Sequence, residues 1–295
     1  MARHPQAERA ACGIGFVADA AGQGSRAVVE QALTGLACVR HRQAIAADGL
    51  SGDGAGLLTP IPRSFFARVG QEALGTELDA DRLGVVTAFL DHDDTAARAA
   101  AEKAVTVACE AEGLEVAGWR LVPIDEDQLG AHAAADLPAI VQALLLRPEG
   151  ISAEDAERRA YRARRAAEAQ AHAAGLRSYF ASFSFSTVTY KALVISDRLA
   201  TFYPDLGAPD FDAPLAVFHS RFSTNTTPAW ERAQPFRMLC HNGEINTLQG
   251  NENRMRARGR LGTEDAGLGE EAALVPVLDA SDSDSGKLDA TVELL

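Results

Sequence analysis

The sequence is short of cysteine, of positive charge and of long apolar runs, and each shortage removes a class of protein. Its four cysteines, Cys12, Cys38, Cys109 and Cys240, stand far apart with no CxxC pair. That spacing is neither a disulfide framework nor a zinc ribbon, so reduced cytosolic thiols are the expectation. No stretch approaches the roughly 18 apolar residues a membrane span needs. The polar start, residues 1–11, lacks the apolar core of a secretory signal. With 28 Lys and Arg against 41 Asp and Glu the net charge is −13, which repels a phosphate backbone and argues against nucleic acid as a partner. What is present, 47% hydrophobic residues over 295 positions, is ample for a core. The expectation is a soluble, acidic, cytoplasmic protein that engages neither membrane nor nucleic acid.

Residues 13–19 read as a short strand. A turn at 22–24 follows, then a helix over about 25–39 with Ser25 as N-cap and apolar residues at 28, 29, 32, 33 and 36. Residues 48–56 are too glycine-rich for a helix and predict a loop, after which 57–60 restart a strand. A strand is expected over 84–90, an alanine-rich helix over 94–112, a strand over 119–124 and a long helix over 152–173. The arginines of that helix (158, 159, 162, 164, 165) are interleaved with Glu154, Asp155, Glu157 and Glu168, which favours a solvated, salt-paired face over RNA contact. Segments 179–189, 191–197 and 199–203 predict successive antiparallel strands, with further strands over 215–222 and 237–241 and a helix over 287–295. Strands grouped together, with helices at the flanks and no βαβ rhythm, predict one α+β domain.

Three clusters carry chemistry. Cys12-Gly13-Ile14-Gly15-Phe16 places a thiol at a strand start where glycine permits close approach; a small buried cysteine is the alternative. In His219-Ser220-Arg221-Phe222-Ser223-Thr224-Asn225-Thr226, the planar fork of Arg221 suits bidentate capture of a carboxylate or a structural salt bridge. In His241-Asn242-Gly243-Glu244-Ile245-Asn246, Asn-Gly is either a tight turn or an oxyanion hole, with the Asn242 amide and the Gly243 N–H as donors. Adjacent strand residues point to opposite faces, so Cys240-His241-Asn242 cannot act as a Cys-His-Asn triad.

Taken together, CGIGFVAD (12–19), SGDGAGLL (51–58), GWRLVP (118–123), FHSRFSTNTTPAWERAQPFR (218–237), HNGEINTLQGN (241–251) and SDSGKLD (283–289) closely resemble the glutaminase domain of glutamate synthases. That domain is a class II glutamine amidotransferase. The resemblance runs nearly end to end and implies a four-layer αββα sandwich of the N-terminal-nucleophile hydrolase type. It implies that residues 1–11 are a propeptide and that 12–295 form the amidotransferase domain. Cys12 is then the nucleophile, activated by its own α-amine once the propeptide is cleaved. Arg221, helped by Thr224, would clamp the glutamine α-carboxylate, and Asn242 and Gly243 would hold the oxyanion. Asp284 would pair with the α-ammonium, with Asp282 as rival and helix N-capping as the structural alternative for Asp284.

The implied reaction is hydrolysis of glutamine to glutamate and ammonia through a Cys12 thioester, the ammonia serving glutamate synthesis from 2-oxoglutarate. FMN and an iron–sulfur cluster belong to a synthase domain or chain that this sequence lacks, and an electron-donor subunit or ferredoxin would serve the full enzyme. Gln43 and Cys240 depart from the family pattern, which has glycine and alanine there, and residue 295 falls inside a helix, so the domain is expected to be C-terminally incomplete. A class II amidotransferase serving another acceptor, or a glutamine-binding fragment paired with a synthase chain, are the rival readings.

Overall fold

The structure, a computed structural model, describes residues 13–222, 227–241, 243, 245–258, 277–279 and 282–294. The described chain begins with β1 (Ile14–Ala18), α1 (Arg26–Cys38) and the long strand β2 (Ser51–Pro60). Helix α2 (Arg63–Leu74), β3 (Leu83–Leu90), α3 (Thr95–Ala111) and β4 (Glu115–Leu121) follow. A one-turn α4 (Ala131–Ala134) precedes β5 (Ala139–Leu146), and α5 (Ala153–Ala173) leads to β6 (Ser178–Ser184). Last come β7 (Thr187–Val194), the one-turn α6 (Leu199–Phe202), β8 (Leu215–Ser220), α7 (Leu248–Arg258) and α8 (Asp284–Leu294).

Among the described residues the strands form two antiparallel sheets, ordered β1-β8-β2-β7 and β4-β5-β3-β6. Period-two alternation sorts the second sheet's side chains between two cores. Val85 and Phe89 of β3 and Ile140 and Leu144 of β5 join a cluster shared with α1, α2, β2 and β7. Their neighbours Val86, Ala88, Val141 and Ala143 join a second cluster with Val105 of α3 and Ala156, Ala160 and Ala163 of α5. Both covering helices are capped from sequence. The Asp94 carboxylate accepts from the Ala96 and Ala97 N–H groups at 2.9 Å, and Ser152 Oγ accepts from the Asp155 N–H at 3.0 Å. The sheets are also joined by polar ties. Lys191 Nζ of β7 donates to the Tyr179 hydroxyl of β6 at 2.7 Å, and buried Asp205 receives Arg120 of β4 and the Tyr190 hydroxyl of β7.

Several sequence expectations are corrected. Residues 51–56 are strand, not loop, because β2 lies between β8 and β7 where the neighbouring backbone leaves little room. A Cβ on Gly56 would sit 2.5 Å from the Gln234 carbonyl oxygen. Segments 179–189 and 191–197 do not pair in succession: β6 and β7 flank a turn and enter different sheets. Residues 199–202 form α6, with Leu199 and Phe202 buried, rather than a strand. The 237–241 segment joins no ladder; Asp289 of α8 takes the Met238 and Leu239 N–H groups instead, at 2.8 and 3.0 Å. Strand β4 starts at Glu115 and ends at Leu121. Arg158 is salt-paired at the surface as expected, but Arg164 is buried between Glu168 and Glu293. Helix α1 starts after Ser25 as expected, yet the Ser25 side chain makes no capping bond.

Candidate functional site

The site is built where the start of β1 meets the end of β8. The strands run antiparallel with Ile14 opposite His219, and the Ser220 N–H donates to the Gly13 carbonyl at 2.6 Å. Cys12 itself lies outside the described residues. Directly beyond β8, Arg221 has a φ of +118°. For a non-glycine residue that conformation costs ~1–3 kcal/mol and persists only where surroundings impose it. Its N–H donates to the Gly54 carbonyl at 2.7 Å, and its Nε donates to Asp53 Oδ2 at 3.0 Å. Burial pushes the Asp53 carboxyl above the usual carboxylate range, opposed by the hydrogen bond from Arg221.

A second set of bonds carries the site towards α8. The Arg221 carbonyl accepts from the Gln234 N–H at 3.4 Å, and the Gln234 side chain is bonded to the His241 main chain. His241 Nδ1 lies 3.4 Å from Ser285 Oγ of α8. Asp284, the first residue of that helix, accepts from the Ile245 N–H at 3.4 Å through Oδ2. The N-cap role belongs to its neighbour, since Ser283 Oγ accepts from the Gly286 N–H at 3.0 Å. Arg221 and Asp284 are thereby linked through Gln234, His241 and Ser285, and a Cβ on Gly243 would lie 3.5 Å from His241 Cε1, while Thr224 and Asn242, like Cys12, lie outside the described residues.

Two of the other thiols are poorly placed for chemistry. Cys109 is buried on the inner face of α3 with its thiol pushed up to about 12, and burial drives the half-buried Cys240 thiol higher still. Cys38 is exposed at the end of α1. Among the described residues no group of three or more His, Cys, Asp or Glu side chains is arranged to hold a metal ion. His219 is buried, its ring pushed down to about 4 by desolvation, which keeps it neutral. No helix among the described residues is long and apolar enough to cross a membrane.

Sequence inspection left Asp53, Gln43 and Gln234 without a role. An acid between glycines in SGDGAG was a usable signal for Asp53; nothing local marked the other two. Gln43, one of the departures from the family pattern, bonds Gly54, Val194 and Ser196, so the turn it follows is pinned to β2 and β7.

Over residues 12–295 the chain matches the family described as glutamine amidotransferases class-II. The chain belongs to the class II glutamine amidotransferases. It is 44% identical, over 98% of its length, to ferredoxin-dependent glutamate synthase 2 of Synechocystis sp.. It is 39% identical over 98% of its length to the chloroplastic ferredoxin-dependent glutamate synthase 2 of Arabidopsis thaliana, and 38% identical over 100% to the glutamate synthase [NADPH] large chain of Azospirillum brasilense. The amidotransferase chain spans about a fifth of these relatives, 18% of the first two and 19% of the third.

Proposed function

We propose that this chain hydrolyses glutamine to glutamate and ammonia with Cys12 as nucleophile, within a four-layer αββα sandwich of the N-terminal-nucleophile type. Family membership over residues 12–295 supports the reaction class, and that match starts at the cysteine. The sandwich reading is supported by two antiparallel sheets with α3 and α5 packed against one face of the second and α1 against the first. The observation that supports the site is the pairing of β1 with β8, which sets Gly13, the residue that follows the cysteine in sequence, against Ser220, the residue before Arg221.

In the proposed mechanism residues 1–11 are removed, freeing the Cys12 α-amine. That amine takes the thiol proton as sulfur attacks the glutamine Cδ. The Asn242 amide and the Gly243 N–H hold the tetrahedral oxyanion. Collapse breaks the C–N bond, the proton passes to the departing nitrogen, and ammonia leaves. Water, deprotonated by the same amine, then cleaves the γ-glutamyl thioester to give glutamate and restore the thiol. Arg221 and Thr224 hold the substrate α-carboxylate and Asp284 its α-ammonium, bracketing the zwitterion with opposite charges.

In the longer protein we infer that the ammonia aminates 2-oxoglutarate in a synthase part carrying FMN and an iron–sulfur cluster, and no step above runs through either group. Relatives named for ferredoxin and for NADPH share this region at similar identity, which assigns the electron donor's recognition to the rest of the protein. The deciding experiment treats the chain with an electrophilic glutamine analogue and maps the adduct. Alkylation of Cys12, in protein whose mass lacks residues 1–11, is the expected result. A label on Cys38, Cys109 or Cys240, or full activity with residues 1–11 attached, overturns the reading.

A further inference from the structure

Strand β2 leaves its ladder at one place, and that place meets Arg221. Its register with β7 shifts between Ser51 and Ala55, so residues 52–54 bulge from the pairing. A bulge re-aims the side chains it carries. Asp53, on this bulge, is 4% exposed, while the arginine it binds is 39% exposed. One partner of the ion pair is sealed in protein and the other reaches outward. The following residue holds the same arginine by its main chain, through the Arg221 N–H to Gly54 carbonyl bond of 2.7 Å. Gly54 has a φ of +120°, and a Cβ there would lie 3.2 Å from the Arg221 carbonyl oxygen and 3.1 Å from Ala233 Cβ, so glycine is required. From the opposite side, Gln43 Nε2 donates to that Gly54 carbonyl at 2.9 Å and to the Val194 carbonyl at 2.8 Å, fastening the bulge to β7.

We propose that Asp53 is a positioning residue for Arg221: it occupies the Nε side of the guanidinium and aims the remaining N–H groups at the substrate α-carboxylate. The proposal rests on the assignment of Arg221 to that carboxylate. A guanidinium presents five donors in one rigid plane, so holding Nε fixes the direction of the other edge. Two adjacent residues therefore fix both ends of Arg221, Gly54 its strained backbone and Asp53 its side chain. An ion pair serving stability alone has no reason to seal the acid and leave the arginine open.

The test measures steady-state hydrolysis by the processed chain, residues 12–295, for wild type, Asp53→Asn, Asp53→Ser, Arg221→Lys and the Asp53→Asn/Arg221→Lys double variant. Two substrates are compared: glutamine and 4-aminobutanamide, which is glutamine without its α-carboxylate. Asp53→Asn keeps the shape and an acceptor but removes the charge. It is expected to raise KM for glutamine about tenfold, the scale of one charge-assisted bond, with a smaller change in kcat. Its loss in kcat/KM on 4-aminobutanamide should be much smaller than on glutamine, and the double variant should bind glutamine no worse than Arg221→Lys alone. KM does not depend on the fraction of folded protein, so partial unfolding of either Asp53 variant cannot imitate the effect. A wild-type KM in both Asp53 variants, beside a raised KM in Arg221→Lys, overturns the positioning role and leaves the carboxylate clamp standing. Equal losses on both substrates also overturn it, marking a general distortion. An unchanged KM in Arg221→Lys removes the clamp itself.

Discussion

Gln234 brackets the main chain of His241: its Nε2 donates to the His241 carbonyl at 2.9 Å, and its Oε1 accepts from the His241 N–H at 2.8 Å. The side chain is 1% exposed, and its own N–H reaches the Arg221 carbonyl. One amide thus fixes the approach to Asn242-Gly243 against the end of β8. Gln234→Leu would leave both His241 peptide groups unpaired, at about 1–3 kcal/mol each. The expected outcome is a fall of about 2–6 kcal/mol in unfolding free energy from denaturant titration, together with a lower kcat. Gln234→Glu, which keeps the acceptor and loses the donor, should fall between. An unchanged unfolding midpoint for Gln234→Leu would show that water replaces both bonds.

Asn242 is assigned to an oxyanion that exists only at the tetrahedral stage, so its amide should matter for turnover more than for binding. Asn242→Ala is expected to lower kcat by about 10²–10³ with little change in KM for glutamine. Asn242→Gly separates this from a turn role, because glycine restores backbone freedom but supplies no donor. A folded Asn242→Gly variant with wild-type turnover would remove Asn242 from the oxyanion hole.

Asp205 accepts from both Arg120 and Tyr190 in the interior. Asp205→Ala leaves the Arg120 charge buried without its counter-ion, a loss of about 3–5 kcal/mol. Asp205→Leu combined with Arg120→Met removes both charges and should be milder than Asp205→Ala. Chemical denaturation of the three variants checks the order, and a double variant worse than the single would show that the pair gives more than it costs to bury.

His219 supplies a pH dependence. Its ring is 1% exposed, and burial lowers its pKa from 6.5 to about 4. As pH falls from 6.5 towards 4 the unfolded chain takes up the proton before the folded one does, so stability declines across that window. The contribution approaches about 3 kcal/mol at its low end. His219→Asn should flatten the dependence of unfolding free energy on pH between 7 and 4.5; an identical slope in the variant would place the acid sensitivity elsewhere.

The sequence by itself determined the family and the local elements. Caps and alanine content marked α3 and α5, and HSRFSTNT with HNGEIN marked the chemistry, because each signal lies within a few residues of the structure it specifies. Arg221, Gly243 and Asp284 were legible as candidates on motif alone, as were Cys12, Thr224 and Asn242, which lie outside the described residues. What only the tertiary structure decided depends on distant backbone. Glycines that read as a loop at 51–56 became a central strand, because β7, β8 and residues 234–235 close on it. The 199–203 segment became a short helix because Leu199 and Phe202 bury into a shared core. The Asp53–Arg221 pair spans 168 positions, and Gln234 joins the end of β8 to the 241 segment through main-chain atoms that carry no residue-specific signal. Side-chain patterns record which face of an element is buried; they do not record which remote carbonyl a glycine makes room for.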